Sequence, residues 1–299
     1  ETDRAYPRVG GSARGASDNL VIGPGLTAAA ALLTDYVLTV AVSVAAGVAA
    51  LTSIFPFLYG PRVWVGVAFI ALLWIGNLRG LRESANLFAI PTYIYLVAIF
   101  GLLCYGTFLA ATGSLPAYTP PPGWVNAAPL EGLGLLLILR AFAAGSVALT
   151  GTEAVSNGVQ AFRPPEARNA GMVLILMGSL FATIFIGISF LASQLEIVPD
   201  PSEQETVISQ ITRTLVGAGT PFHYLIQLST AFLLILAANT AFAGFPRLAS
   251  ILGKDRFLPR QFQYRGDRLA YSVGIMVLAL LAAAAPAVCR GSGRPVNPL

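Results

Sequence analysis

Charge is what this sequence has least of. Of its 299 residues, 11% are Asp, Glu, Lys or Arg and 56% are hydrophobic. A soluble domain carries about 25% charged residues, so the composition excludes an ordinary soluble domain. The chain also has one histidine and two cysteines, Cys104 and Cys289, which are far apart. Neither a disulfide framework nor a zinc site is therefore predicted.

The motifs of common enzymes are missing as well. The sequence contains no GxSxG nucleophile elbow, no HExxH pair and no phosphate-binding loop. We therefore expect no enzyme and no cofactor, and we expect no nucleic acid among the partners.

Long apolar runs are what the sequence does have, and its mean hydropathy is +0.72. Crossing a bilayer takes about 20 predominantly apolar residues as a helix. Seven segments are candidate spans: 26–51, 63–77, 87–111, 132–161, 172–193, 222–246 and 271–289. The sequence therefore predicts an all-α integral membrane protein, surrounded by a lipid bilayer.

The cations are divided unequally between the two sides of these spans. Thirteen of them fall in alternate polar segments on one side, and four fall on the other. Because cytoplasmic loops carry the excess of Lys and Arg, residues 1–22 are predicted to be cytoplasmic and residues 195–220 external. We expect a multi-pass protein of the cell membrane with a cytoplasmic connector at 1–25, a transmembrane core at 26–289 and an unstructured tail at 290–299.

The first span carries an acid, Asp35, inside an apolar run. A charged residue there costs about 3 kcal/mol on insertion scales, so it indicates a functional site by default. On a helix, Tyr36, Thr39 and Ser43 share an arc of about 100° with Asp35. This polar face predicts a polar cavity or cation path; tight helix packing is the alternative. The opposite face suits lipid or apolar packing and carries Leu33, Val37, Val40, Val44, Val48 and Leu51.

The fourth span repeats this pattern in its second half. If the segment is helical, Thr150, Glu153, Ser146 and Asn157 share one narrow face. Gly151 could instead allow the helix to unwind and expose carbonyl oxygens to a cation. Two inward acids with neutral hydroxyls fit a monovalent cation, with carboxylate protonation as the coupling step.

Three other features are weaker candidates. His223, at the external start of the sixth span, is predicted to be an interfacial residue rather than a ligand. Asn239 and Thr240 either face the same cavity or make a helix contact. The external segment 202–217 predicts a short surface helix, with Ser202 and Glu205 as a capping box.

Several stretches together resemble one transporter superfamily. AYP, GG and NL near the start are followed by LLTDYVLTVAVSVAAG, NLRGLRESA, LTGTEAVSNGVQAF, AANTAFAGFPRLA and GDRLAYSVGI. In this order they resemble the APC superfamily, and within it the KimA-type branch of the KUP potassium-proton symporters. The most specific parts are DYVLTVAVS and LTGTEAVSN.

The resemblance implies a LeuT-like helical bundle with a midplane site. The seven spans then correspond to the third to ninth helices, and the fourth span to the broken sixth helix. It implies potassium binding by Tyr36, Thr39, Ser43, Thr150 and Glu153, with Asp35 beside them and Glu153 in proton coupling. Potassium, protons and a second copy in a homodimer are the partners that it implies.

The resemblance also has departures. Nothing in the sequence corresponds to the first helix of that fold or to the helices after the ninth, so we expect an incomplete transporter core that does not transport alone. The alternatives are an amino-acid permease of the same superfamily and a non-transporting fragment. Acids at positions 35 and 153 favour a cation over a substrate carboxylate, because like charges repel.

Overall fold

A computed structural model describes residues 22–79, 85–120, 134–145, 162–198, 204–264 and 271–291, with residues 155, 159 and 200. Within these residues eight α-helices follow one another along the chain. They are α1 (Ile22–Ile54), α2 (Arg62–Leu78), α3 (Ala85–Ala111), α4 (Leu135–Gly145), α5 (Glu166–Gln194), α6 (Val207–Val216), α7 (Pro221–Lys254) and α8 (Ser272–Gly291). Short 3₁₀ turns, Pro56–Leu58 and Arg260–Gln263, follow α1 and α7.

Each predicted span overlaps one of these helices. Four of them, α1, α3, α5 and α7, are long and apolar enough to cross a membrane, while α2 and α8 are shorter apolar helices. The predicted all-α membrane architecture is therefore confirmed. The fourth span is described as a helix over Leu135–Gly145, and most of its polar second half lies outside the described residues. The division into connector, core and tail stays a prediction.

The first of two buried cores joins α1, α2, α7 and α8. Lipid tails are as apolar as leucine, so packing and hydrogen bonds, more than hydrophobic burial, hold membrane helices together. Small and branched side chains allow the close contacts that such packing needs. The buried members include Val40, Val44, Val48, Ile70, Ala238, Ala241, Phe242, Ala249, Leu278 and Ala282.

The second core joins α3, α5 and α6 with the first turns of α7. Its buried members are Ala98, Ile99, Leu102, Leu103, Leu191, Leu195, Ile211, Leu215 and Ile226. Because α7 contributes to both cores, it is the element that connects them. His223 lies in the first turn of α7, and Gly244 lies in its last third, about 30 Å away along the helix axis.

Helix α6 confirms the predicted helix but corrects its start and its surroundings. Its N-cap is Thr206, whose side-chain oxygen accepts a hydrogen bond from the backbone N–H of Ser209. The helix therefore begins at Val207, and Ser202 is not its cap. The prediction that this helix lies on the surface was also wrong. Five of the ten residues of α6 are buried: Ser209, Gln210, Ile211, Thr212 and Leu215.

Candidate functional site

Asp35, Tyr36, Thr39 and Ser43, which we call the α1 polar face, lie on α1, and of these Tyr36 contacts α7. The four side chains are all half-buried, so none of them points fully into the surrounding lipid. The face that the sequence assigned to lipid or apolar packing is buried at Val40, Val44 and Val48, which belong to the first core. The apolar face of α1 therefore packs tightly in the first core, and Tyr36 of the polar face packs against that core.

Tyr36 is held against α7 at a glycine. A Cβ atom placed on Gly244 would lie 2.6 Å from ring carbons of Tyr36 and 2.7 Å from its hydroxyl oxygen. Real Cβ atoms essentially never approach so closely, so the ring occupies the space that the missing side chain leaves. Glycine at 244 thus fixes where the tyrosine hydroxyl of the α1 polar face can lie.

Asp35 is the charged member of the α1 polar face. Its carboxylate is half-buried inside a helix long enough to span the membrane. None of the described residues forms a salt bridge with it. Thr34, its neighbour, is exposed and donates its hydroxyl proton to the carbonyl of Ala30. The two adjacent polar residues therefore have different environments, since Asp35 is half-buried and Thr34 is exposed.

The second group of predicted site residues cannot be placed beside α1. Thr150 and Glu153 lie outside the described residues, as do Ser146, Asn157 and Gly151. The convergence of the two acids on one pocket therefore stays a prediction.

Asn239 makes a helix contact, one of the two alternatives that the sequence left open for it. The side-chain amide of Asn77 on α2 donates to Oδ1 of Asn239 on α7 at 2.7 Å, and also to the carbonyl of Leu73 at 2.8 Å. Interhelical hydrogen bonds of this kind help to hold membrane helices together. Thr240 instead is exposed, and its hydroxyl donates to the carbonyl of Ala237.

A second polar site, which the sequence did not predict, surrounds a cavity of about 380 Å³ beside α6. The ends of α1 and α6 and the start of α7 line it, and the cation count predicts that this side is external. We call it the α6 cavity. Its lining includes Thr52, Ser53, Tyr59, Glu205, Arg213 and His223.

Ionic and hydrogen-bonded contacts connect the polar groups of this site. Nε of Arg213 lies 3.2 Å from Oε1 of Glu205, and the hydroxyl of Ser209 lies 2.9 Å from the same oxygen. Nε2 of His223 is 2.9 Å from the Ser209 hydroxyl. Asp200 orders the preceding segment by accepting the backbone N–H groups of Gln204 and Glu205 at 2.6 and 2.9 Å. We call Asp200, Glu205, Ser209, Arg213 and His223 the α6 cluster.

Burial changes the acidity of two groups here. Burial raises the pKa of Glu205 above its ordinary value, an effect that the Arg213 guanidinium partly offsets. Burial also raises the pKa of the Tyr118 phenol, whose O–H donates to Oε1 of Gln210 at 2.8 Å. His223 has 4% of its surface exposed, so its ring packs inside the protein at the start of α7, and its predicted place at the membrane interface stays a prediction. Because the sequence predicted Glu205 as part of a capping box with Ser202, its ion pair with Arg213, eight residues later in the chain, was missed.

Comparison with known proteins gives two matches. A family model described as amino acid permease matches residues 16–297. The potassium transporter KimA of Bacillus subtilis (strain 168) is 45% identical over 276 residues, which are 92% of this chain and 44% of the relative. The chain thus spans less than half the length of that relative. Both matches, together with the apolar helices, establish a multi-pass membrane protein.

Proposed function

The chain belongs to the amino acid permease family, and from this premise we propose that it forms the core of a secondary transporter that takes up potassium with protons. The observation that carries the proposal is the 45% identity to a potassium transporter over nearly the whole chain. Transport rather than catalysis is the activity proposed.

The α1 polar face supports a cation as the substrate. A cation that leaves water needs protein oxygens to replace its hydration shell, and Tyr36, Thr39 and Ser43 offer neutral ones. Asp35 adds a negative charge on the same half-buried face. We propose that these four residues form one side of the site, with Thr150 and Glu153 on the other side.

Glu153 is the proposed proton-coupling group. A carboxylate near a bound cation loses its proton more readily than the same group without the cation, because the charges attract. Uptake of both ions together requires the proton and the cation to be carried in the same step. A protonated Glu153 is neutral and so costs less inside the membrane than a carboxylate, and we propose that the site changes its exposure with Glu153 protonated and potassium bound. The homodimer that the family resemblance implies stays an expectation.

Amino-acid transport is the second candidate function, and the description of the matching family favours it. An amino acid brings its own carboxylate, which Asp35 would repel. A substrate carboxylate would therefore need a separate binding position away from the α1 polar face.

Uptake measurements separate these candidates. Cells that lack their own potassium uptake would express the full gene that encodes this chain. The proposal predicts growth at limiting potassium and acidification-dependent uptake of potassium, without accumulation of labelled amino acids. Amino-acid accumulation without rescue of growth would refute it, and so would the absence of both from a protein that is shown to be in the membrane.

Two variants test the proposed site in the same cells. Glu153→Gln and Asp35→Asn should abolish uptake while membrane insertion is unchanged. Asp255→Asn is the matched control, because Asp255 is exposed at the end of α7. Normal uptake by Glu153→Gln or Asp35→Asn would remove that residue from the site.

A further inference from the structure

Ser209 occupies a position where one proton has to serve two neighbours. Its hydroxyl oxygen lies 2.9 Å from Oε1 of Glu205 and 2.9 Å from Nε2 of His223. A carboxylate only accepts hydrogen bonds, so the single hydroxyl proton of Ser209 goes to Glu205. Ion pairing with Arg213 at 3.2 Å favours the ionised carboxylate.

The direction of that bond fixes the tautomer of His223. Because Ser209 has no second proton to give, its oxygen must accept the N–H of Nε2. Neutral imidazole carries one N–H, so the other ring nitrogen, Nδ1, holds a lone pair. Nδ1 is buried and has no hydrogen-bond partner within the described part of the chain. The ring lines the α6 cavity.

We propose that His223 is a proton-binding site at the wall of the α6 cavity. A proton from the adjoining solution forms one new N–H bond at Nδ1. No bond in the protein breaks, and the ring gains one positive charge. The N–H of Nε2 stays on the Ser209 oxygen, so the hydrogen-bonded connection to Glu205 is kept. This site is separate from Asp35 and does not rest on the proposed transport function.

Charges of both signs surround the ring and decide how readily it binds the proton. Glu205, one hydroxyl group away, stabilises the imidazolium, and Asp200 adds a second negative charge to the same segment. Burial of the ring opposes the imidazolium most, and Arg213 on α6 opposes it further. The first turn of α7, where His223 lies, also opposes it through the positive end of the helix dipole. The other titratable groups around the cavity are Tyr59, Tyr118 and Tyr224, while α1 contributes the hydroxyls of Thr52 and Ser53.

The location gives the site a role in the response to acidity. Protonation adds a charge to the first turn of α7, and the same helix contacts Tyr36 at Gly244, 21 residues further along. The helix therefore connects a proton-binding group with the α1 polar face over about 30 Å. Acidification on the α6 side, which the cation count predicts to be external, would add a charge at His223.

A nuclear magnetic resonance titration tests this proposal without any transport measurement. Since His223 is the one histidine of the chain, ¹⁵N-histidine labelling of the 299-residue chain in lipid nanodiscs gives a single imidazole. Its two ¹⁵N shifts distinguish the tautomers and the imidazolium. We expect the Nε2–H tautomer at about pH 8 and conversion to imidazolium below the range in which histidine usually titrates, because burial of the ring opposes its charge.

Variants separate the proposed contacts from a general effect of burial. Ser209→Ala should remove the preference for the Nε2–H tautomer. Ser229→Ala, at a buried serine of α7 that bonds to the carbonyl of Ile226, is the matched control and should keep it. Glu205→Gln should lower the midpoint of the titration by about 1 pH unit. His223→Gln should lose the signal, which assigns it.

Three results would overturn the proposal. They are an Nδ1–H tautomer in the wild-type chain, a ring that stays neutral over the whole range, and a Ser209→Ala variant that behaves like wild type. None of them bears on whether the protein transports potassium, so the two proposals fail independently.

Discussion

The α1 polar face and the α6 cluster place polar groups within the same bundle in opposite ways. Four residues of one helix form the α1 polar face, and all are half-buried. Residues from α6, α7 and the segment before α6 form the α6 cluster, and an ion pair and hydrogen bonds connect them. The first arrangement places oxygen atoms along one face of a single helix, while the second connects charged groups from several segments to one another.

The two arrangements have different costs in the free energy of folding. A pair such as Glu205 and Arg213 offsets part of the free energy lost when each charge leaves water. Asp35 forms no salt bridge with the described residues. An unpaired acid inside a membrane helix is retained at a cost in stability, which is why it indicates function. The α6 cluster instead combines a structural ion pair with one unpartnered ring nitrogen.

Among the variants that test this comparison, Gly244→Ala is expected to have the largest effect on stability. The new Cβ would overlap the Tyr36 ring, which must move or separate α1 from α7. We expect a loss of about 3 kcal/mol in the free energy of unfolding, measured by denaturation of the purified protein. Gly178→Ala on α5, where nothing lies within 4 Å of the added Cβ, is the control. Equal stability of the two variants would show that Tyr36 is not held at Gly244.

Arg213→Gln should have the next largest effect. It leaves the carboxylate of Glu205 without its cation in a largely buried setting, since the two side chains are 27% and 14% exposed. We expect a loss of about 2 kcal/mol in the free energy of unfolding, less than for a fully buried pair. Exposed Arg168 provides the control, Arg168→Gln, which should change stability little. If Arg213→Gln is as stable as that control, the ion pair contributes nothing to the α6 cluster.

Thr206→Ala tests whether the α6 cluster depends on the start of α6. Loss of the cap leaves the N–H of Ser209 without its side-chain partner, and such caps contribute about 1 kcal/mol. Thr214→Ala, which removes a hydroxyl that bonds to the carbonyl of Gln210 in the same helix, should cost less. Thermal unfolding of both variants measures the difference. A larger loss for Thr214→Ala would contradict the assigned cap.

The smallest expected effect is the change in stability with pH that Glu205 causes. The pKa of Glu205 is raised on folding, so the folded chain holds that proton more tightly than the unfolded chain. Its contribution to stability is therefore full below the ordinary pKa of a glutamate and is lost as the pH rises through the raised pKa. Relative to Glu205→Gln, the wild type should gain stability on acidification, as measured by unfolding at a series of pH values. A gain on alkalinisation would contradict the raised pKa.

The sequence predicted the parts of this structure that local patterns determine. Apolar runs placed most span ends within four residues of the helix ends, although α5 begins six residues earlier and α7 ends eight residues later than predicted. Helical periodicity separated Val40, Val44 and Val48 from the α1 polar face. In the α6 cluster, the contact of His223 with Ser209 depends on packing of α6 on α7, which local patterns do not show. Thr206 is the cap because its side chain accepts the N–H of Ser209. The contact of Tyr36 with Gly244 was likewise beyond periodicity, since it depends on how closely two distant helices approach.

Potassium binding by matched threonine variants tests the central claim most directly. Thr39 belongs to the half-buried α1 polar face, and Thr34, five residues earlier on the same helix, is exposed. In sodium-free buffer, potassium should raise the Tm of the purified wild-type chain, because a ligand that binds the folded state stabilises it. Thr39→Val should need about tenfold more potassium for the same rise, equivalent to about 1.4 kcal/mol, and Thr34→Val should match wild type. Equal potassium dependence in wild type and both variants would contradict the assignment of the α1 polar face to a cation site.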